Sequence, residues 1–311
     1  MNHFIGIDGG GSKTRGILTD GDFNILASSE GGPSNPLSVG TQKSSLLLAG
    51  LIKKLFKVSG VAKVDSAVIG LAGAGRREKA DEIKRSLLKL TARNESRIKK
   101  IEVTSDIKIF VEGAFSGKSG SVLIAGTGSV IISKNRGGKF FRAGGYGKIL
   151  GDEGSGYSIG SKGLKAVAKN FDGRGDKTIM AELVEREFGI RTPDELITKI
   201  YSGHFDVASA APVVISAAEE GDAVCKKILD EEIAELILHI KAAVKSVNEK
   251  KMRLCLGGGL LSSKNYYSNR LVSKIKMDFG DIKISEPDYP PEAGAVFLAA
   301  NNLNKIKTIR N

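Results

Sequence analysis

HFIGIDGGGSKTRGILT, residues 3–19, is the stretch on which the reading of the fold turns. A short apolar run from His3 to Ile7 enters a glycine cluster, and Thr14 to Thr19 leaves it as a second run. Asp20-Gly21-Asp22 then turns the chain toward a third strand at Phe23 to Ala27. A strand, a glycine turn and another strand make a hairpin. A P-loop needs Gly-Lys-Ser/Thr opening a helix after a four-residue spacer, whereas here Gly-Ser-Lys-Thr opens a strand. Gly9-Gly10-Gly11 does not follow the GxGxxG dinucleotide pattern either. What remains is a turn that lets the backbone approach a ligand closely, with successive N–H groups forming a concave anion site. Glycines with hydroxyls and a lysine suit a triphosphate, and an acid beside them suits the Mg²⁺ that bridges its oxygens. Gly10, Gly11, Ser12, Lys13 and Thr14 are therefore expected at the phosphates of a triphosphate, with Asp8 at the metal.

One such turn could be no more than a tight hairpin, but the device recurs. Ser121 to Ala125 enters Gly126-Thr127-Gly128-Ser129, and Val130 to Ser133 leaves it. A third cluster, Gly257-Gly258-Gly259, follows a strand at Met252 to Leu256. The echo divides the 311 residues into two domains, which their number also favours. The boundary is read near Gly117, giving 1–116 and 117–311. Pro290-Pro291-Glu292-Ala293-Gly294-Ala295-Val296 starts a last helix that can pack back on the first domain.

Between these landmarks Gln42 to Val58 has helical spacing, Val64 to Leu71 reads as a buried strand, Glu78 to Leu90 as a helix and Ile98 to Thr104 as a strand. That rhythm suits a partly parallel sheet. Residues 154–248 read as mainly helical. The clearest helix, Ala223 to Val247, carries Ile228, Ile233, Leu236, Ile237, Ile240, Val244 and Val247 on one stripe. Asn301 to Asn311 reads as polar and frayed.

Composition narrows the classes. An apolar fraction of 41% with 26% charged residues is that of a soluble globular chain. No apolar run has the length of a membrane span, and the start lacks the pattern of a signal peptide. Cys225 and Cys255 alone, without CxxC spacing, argue against disulfides or a cysteine-rich metal site and suit a reducing cytoplasm. The net charge of +12 is interleaved with acids, as in Arg76-Arg77-Glu78-Lys79-Ala80-Asp81, and no base-stacking platform accompanies it. It is read as a solvated surface rather than a nucleic-acid face.

In chain order these elements resemble the ASKHA superfamily of sugar kinases and actin. Its first phosphate motif matches Ile7 to Thr14, its second Ala125 to Ser129, its adenosine motif Leu256 to Leu260 and its second connecting segment Glu292 to Ala299. The first connecting segment is expected in the helix after Gly154. More narrowly, the chain resembles the N-acetylglucosamine kinases grouped with BadF/BadG-type ATPases. The sharpest matches are Gly70-Leu71-Ala72-Gly73, Ile124 to Ser129, and Gly144-Gly145-Tyr146-Gly147 followed by Gly151-Asp152-Glu153-Gly154-Ser155-Gly156-Tyr157.

The resemblance implies an α/β fold of two ribonuclease H-like, actin/hexokinase-type domains flanking a nucleotide cleft. It implies ATP- and Mg²⁺-dependent phosphorylation of a sugar hydroxyl by a cytoplasmic homodimer. Nucleotide contacts fall to Gly126, Thr127, Gly128, Gly257, Gly258 and Gly259 besides the first turn. The position of Asp106 is that of the catalytic base, here also given to the metal with Asp8, while Asn35 and Asp152 hold sugar hydroxyls. Gly73, Gly145, Tyr146, Lys148 and Glu153 complete the substrate list.

The residues allow other roles. Asp106 could cap a helix beginning at Ile107, and Asp152 and Glu153 could cap or charge the helix after them. The family often has Trp and then His or an apolar residue where this chain has Tyr146 and Lys148. A lysine there could meet a carboxylate, which leaves a sugar acid such as 2-keto-3-deoxygluconate as an alternative to a hexosamine or hexose. A sugar sensor without catalysis, or an ATPase activator, are further readings. The activator would need cluster cysteines.

Overall fold

The computed structural model describes residues 1–75, 77–91, 97–249 and 251–309, with side chains as far as residue 303. In chain order the elements begin β1 (Phe4–Gly9), β2 (Thr14–Thr19), β3 (Ile25–Gly31), α1 (Pro36–Val39) and α2 (Thr41–Ser59). There follow β4 (Lys63–Val64), β5 (Ser66–Leu71), α3 (Arg77–Thr91), β6 (Arg97–Ile98), β7 (Ile101–Ser105) and α4 (Asp106–Ala114). Next come β8 (Gly120–Ala125), β9 (Ser129–Lys134), β10 (Phe140–Gly144), α5 (Gly156–Phe171), α6 (Met180–Phe188) and α7 (Pro193–Tyr201). The chain ends with α8 (Ala211–Glu219), α9 (Ala223–Val247), β11 (Met252–Gly257), α10 (Tyr266–Asp278), β12 (Ile282–Ile284) and α11 (Pro291–Ile309).

These elements form two compact units, 1–119 with 286–311, and 120–285. The last 26 residues, read from sequence with the second domain but free to pack back, fold with the first unit. The expected internal echo is a topological identity. Unit 1 orders its strands β3-β2-β1-β5-β7, and unit 2 orders its strands β10-β9-β8-β11-β12. In each, the hairpin strands pair antiparallel and the later strands join in parallel. Each unit is thus a ribonuclease H-like sheet.

The pleat of β1 explains the two faces of unit 1, because alternate side chains point to opposite sides. Ile5 and Ile7 join Ile69 and Leu71 of β5 under α2, whose Leu48, Leu51, Ile52 and Leu55 form its buried stripe. Phe4 and Val68 face the other way, against Ile109 of α4 and Ala295, Val296 and Ala299 of α11. Gly6 lies on this second face, where a Cβ would strike the Glu292 carbonyl, so α11 rests directly on the β1 backbone. Gly294 and Gly113 likewise let α11 and α4 touch backbone to backbone.

Several expected boundaries move for identifiable reasons. The strand expected at Phe23 to Ala27 runs from Ile25 to Gly31, because Phe23 sits in the turn at φ 68°. Asp20 holds that turn by accepting the N–H groups of Asp22 and Asn24, both at 2.9 Å. The strand expected from Val64 to Leu71 divides at Asp65, because β4 pairs with β6 while β5 joins β1 and β7. The Asp65 carboxylate between them accepts His3 N–H and pairs with Lys99. The segment read as frayed from Asn301 continues as helix to Ile309, and residues 310 and 311 lie outside those described. The helix after Gly154, expected as a connecting segment, lies wholly inside unit 2. The helices adjoining the chain crossings are α4 and α11.

Candidate active site

In unit 1 the parallel register lines up the carboxyl ends of three strands. Asp8 pairs with Gly70 and Gly9 with Leu71, while Gly70 pairs with Thr104 and Leu71 with Ser105. Asp8, the Gly70–Gly73 segment and Asp106 therefore emerge along one edge of the sheet, where open α/β sheets bind ligands. The Ala72 N–H reaches the Gly9 carbonyl at 2.9 Å and locks two of these ends together.

The glycine turn itself closes through Gly10 N–H to the Lys13 carbonyl at 2.9 Å. Gly11, Ser12 and Lys13 are exposed at its tip, and a Cβ on Gly11 would meet nothing. Packing does not demand that glycine, and the tip is open to a ligand. Thr14, expected at the phosphates, points inward instead. It is 2% exposed, and its hydroxyl donates to the Gly32 carbonyl at 2.7 Å and pairs with the Ser34 hydroxyl at 2.7 Å. Ser34 and Asn35 N–H groups both reach the Gly10 carbonyl, at 3.1 and 3.2 Å. Thr14 thus ties the turn to the loop carrying Asn35.

Asn35 caps α1 by accepting the Leu37 N–H at 2.9 Å, which leaves its amide NH₂ free to donate. Gly73, at φ +79°, lies against that side chain so closely that a Cβ would collide with Oδ1. Asn35 and Gly73, expected in one substrate site, are brought together.

Asp106 is the first residue of α4, but the capping role falls to Ser105, whose hydroxyl accepts the Lys108 N–H. The carboxylate of Asp106 has no Lys or Arg partner among the described residues. Burial raises its pKa, partly offset by hydrogen bonds from its own N–H and that of Ile107. Asp8 goes further. Burial, then the charges of Glu292 and Asp106, push its carboxyl up to about 6, against weaker pulls from Arg15 and Lys13.

Glu292 is the residue the sequence reading missed here. It reads as a first-turn acid after Pro290-Pro291, and only the packing of α11 on Gly6 carries it to β1. It is 9% exposed, and its Oε2 is buried without a hydrogen-bond partner among the described residues. Among the described residues no three His, Cys, Asp or Glu side chains close into a ready-made metal cage. Mg²⁺ does not require one, since it keeps several waters and takes one or two carboxylates beside substrate phosphates.

In unit 2 the second turn closes through Gly126 N–H to the Gly128 carbonyl at 2.9 Å, leaving Thr127 exposed at its tip. The Gly257–Gly259 cluster lies beside it, through β11–β8 pairing and a bond from Leu260 N–H to the Ala125 carbonyl at 3.1 Å. Residues 152–157 clamp it from the other side. Gly156 and Tyr157 N–H groups reach the Gly126 and Thr127 carbonyls at 2.7 and 3.2 Å, and the Ser129 hydroxyl donates to the Glu153 carbonyl at 2.5 Å. Ser155 caps α5, so neither Asp152 nor Glu153 serves the helix. Asp152 sits at φ 61° with its carboxylate over Gly128. Tyr146 is 70% exposed beneath Arg142, whose guanidinium lies 5.6 Å from the ring centre. The Lys148 ammonium lies 5.5 Å over the Tyr157 ring, with no carboxylate partner among the described residues.

Comparison with known proteins finds similarity along almost the whole chain. The chain is 36% identical over 306 residues to an N-acetylmuramic acid/N-acetylglucosamine kinase of Clostridium acetobutylicum, covering 96% of this chain and 98% of that one. It is 28% identical to an N-acetyl-D-glucosamine kinase of Dictyostelium discoideum, again over 96% of this chain and 98% of that one. Its fold matches a solved structure from Chromobacterium violaceum with a TM-score of 0.70, at 24% identity over 96% of this chain and 99% of that one. A ROK hexokinase from Thermus thermophilus matches with a TM-score of 0.61, at 16% identity over 97% and 99%. The model of the BadF/BadG/BcrA/BcrD ATPase family matches residues 5–299, and the chain belongs to that family.

Proposed function

We propose that the protein is an ATP-dependent hexosamine kinase, with N-acetylglucosamine as a substrate. The observation that carries this reading is Asp106. It is a carboxylate just past the end of a parallel strand, at the sheet edge where Asp8 also emerges, without a basic partner among the described residues and with Ser105 as the helix cap. A carboxylate held above its usual range is suited to accept the proton of a substrate hydroxyl. As Asp106 takes that proton, the hydroxyl oxygen bonds to the γ-phosphorus and the bond from phosphorus to the β–γ bridging oxygen breaks, leaving ADP.

Asn35 and Asp152 suit sugar hydroxyls, the first with an amide NH₂ left free by its cap and the second with a carboxylate unused by its helix. The turns tipped by Gly10 to Lys13 and by Gly126 to Gly128 suit phosphate oxygens, with Gly257 to Gly259 for adenosine. Asp8 with Asp106 fits Mg²⁺, because two carboxylates emerge at one sheet edge beside the phosphate turn, with the acid Glu292 near enough to add to the burial that raises the Asp8 pKa. When bound, the metal would neutralise phosphate charge. Cys225 and Cys255 are both buried, which weighs against the cluster-bearing ATPase activator. The family resemblance supports a cytoplasmic homodimer.

A second substrate, the acidic N-acetylmuramic acid, is favoured by Lys148, whose ammonium has an aromatic face and no carboxylate partner among the described residues. It replaces the keto-deoxy acid as the acidic candidate because the Clostridium relative bears that name. The test is ADP release across a panel of hexosamines, hexoses and sugar acids. ADP release with N-acetylglucosamine supports the reading, and release with none of the hexosamines defeats it.

A further inference from the structure

Glu232 lies on the buried stripe of α9, between Leu229 and Ile233, and is 1% exposed. A leucine there would serve the core as well, and a buried carboxylate costs several kcal/mol unless its bonds are met. Its bonds are met by one loop and the helix after it. Oε2 accepts the main-chain N–H of Gly154 at 2.5 Å. Oε1 accepts the Ser158 hydroxyl at 2.8 Å and the Lys162 ammonium at 3.0 Å, and Lys162 also bonds Glu231. From the other side the Tyr267 hydroxyl, fully buried in α10, donates to the Gly154 carbonyl at 2.9 Å. Gly154 is therefore gripped at both its amide and its carbonyl.

That grip has a purpose beyond packing. Gly154 stands at φ +80° with Leu236 against it, so no side chain fits there. Two residues before it, Asp152 adopts a left-handed conformation, which is strained for a residue with a Cβ. Such strain persists only where the surroundings over-determine it. Asp152 and Glu153 are fixed downstream by Gly154 and laterally by Gly128 and Ser129. We propose that Glu232 is a positioning residue for the sugar site, holding Asp152 and Glu153 in place through the main chain of Gly154. This rests on the sugar-binding role of that loop proposed above.

Glu232→Gln tests it, since an amide offers one acceptor oxygen and its NH₂ group faces a donor. The expected result is a KM for N-acetylglucosamine raised between about 10- and 100-fold, the range for a displaced substrate ligand, with the KM for ATP within threefold. Amide exchange at residues 152–157 should rise in the same variant. A lower melting temperature with both KM values unchanged, or both raised alike, overturns the proposal, because a purely structural role would do that. If Glu232→Gln fails to fold, Tyr267→Phe removes the opposite grip and must give the same split, with a rise of about threefold or more in sugar KM. If the wild-type protein phosphorylates no hexosamine, the function reading falls. Amide exchange then still decides the anchor, and unchanged exchange in Glu232→Gln overturns it.

Discussion

Asp8 carries the clearest conflict between stability and function in the molecule. Its folded pKa of about 6 exceeds the ordinary value of 3.8, so between those pH values the folded state holds the proton more tightly. Stability must fall as pH rises through that window and stay lower above it, by at most about 3 kcal/mol for a shift of about two units. Asp8→Asn removes the penalty. The variant should melt higher than wild type at pH 7.5, gain nothing below pH 4, and lose most of its kcat/KM for ATP. Melting curves at the two pH values with steady-state kinetics check all three. In the wild-type enzyme, kcat/KM should decline as pH falls below about 6, where Asp8 protonates and Asp106, also raised, follows its own titration. Asn35→Ala should raise the KM for the sugar by about tenfold while leaving ATP unaffected, since its NH₂ is the only part of the side chain not spent on capping.

At the scale of elements, the contact of α4 with α11 is the joint that delivers Glu292 to β1. Gly294→Ala would drive a Cβ into the Ile109 carbonyl and the Gly113 backbone, neither of which is the end of a flexible side chain. The expected loss is about 1–3 kcal/mol, read as a lower melting temperature, with activity falling as Glu292 shifts. This joint was only half legible in the sequence. Proline and alanine spacing gives the helix, but its two glycines reveal a backbone contact only once their partners are known. The hairpins, by contrast, were legible strand by strand, because Thr14 to Thr19 is bounded by turn residues on both sides. Ser105 was hidden by its neighbour, since Asp and Ser are equally good caps and only the backbone decides between them. Thr14 was misplaced for a similar reason. A threonine after a glycine turn can face either way, and the buried Ser34 hydroxyl that claims it lies 20 residues on.

For the whole molecule, the two sheets with one strand order are what make the repeated glycine turns equivalent rather than coincidental. The echo at residues 126–129 foretold that equivalence, while β10 and β12, short and partly buried, gave no periodic signal. Glu232 stayed invisible because a carboxylate on an apolar stripe reads as a break in the pattern until its partner Gly154 is seen. Unit 1 depends on the chain's end, so a protein stopped at residue 285 would strip the α11 face from Phe4, Val68 and Ile109. Limited proteolysis of that truncation should leave a resistant fragment from 120–285 and digest residues 1–119. The central claim is that Asp106 takes the proton of a sugar hydroxyl during transfer from ATP. Its most direct measurement is N-acetylglucosamine-dependent ADP release by wild type and Asp106→Asn, with sugar binding followed separately. The account predicts sugar-dependent release in wild type, a fall in kcat of about 100- to 10,000-fold in the variant, and binding retained. Release that ignores the sugar, or a variant within tenfold of wild type, would contradict it.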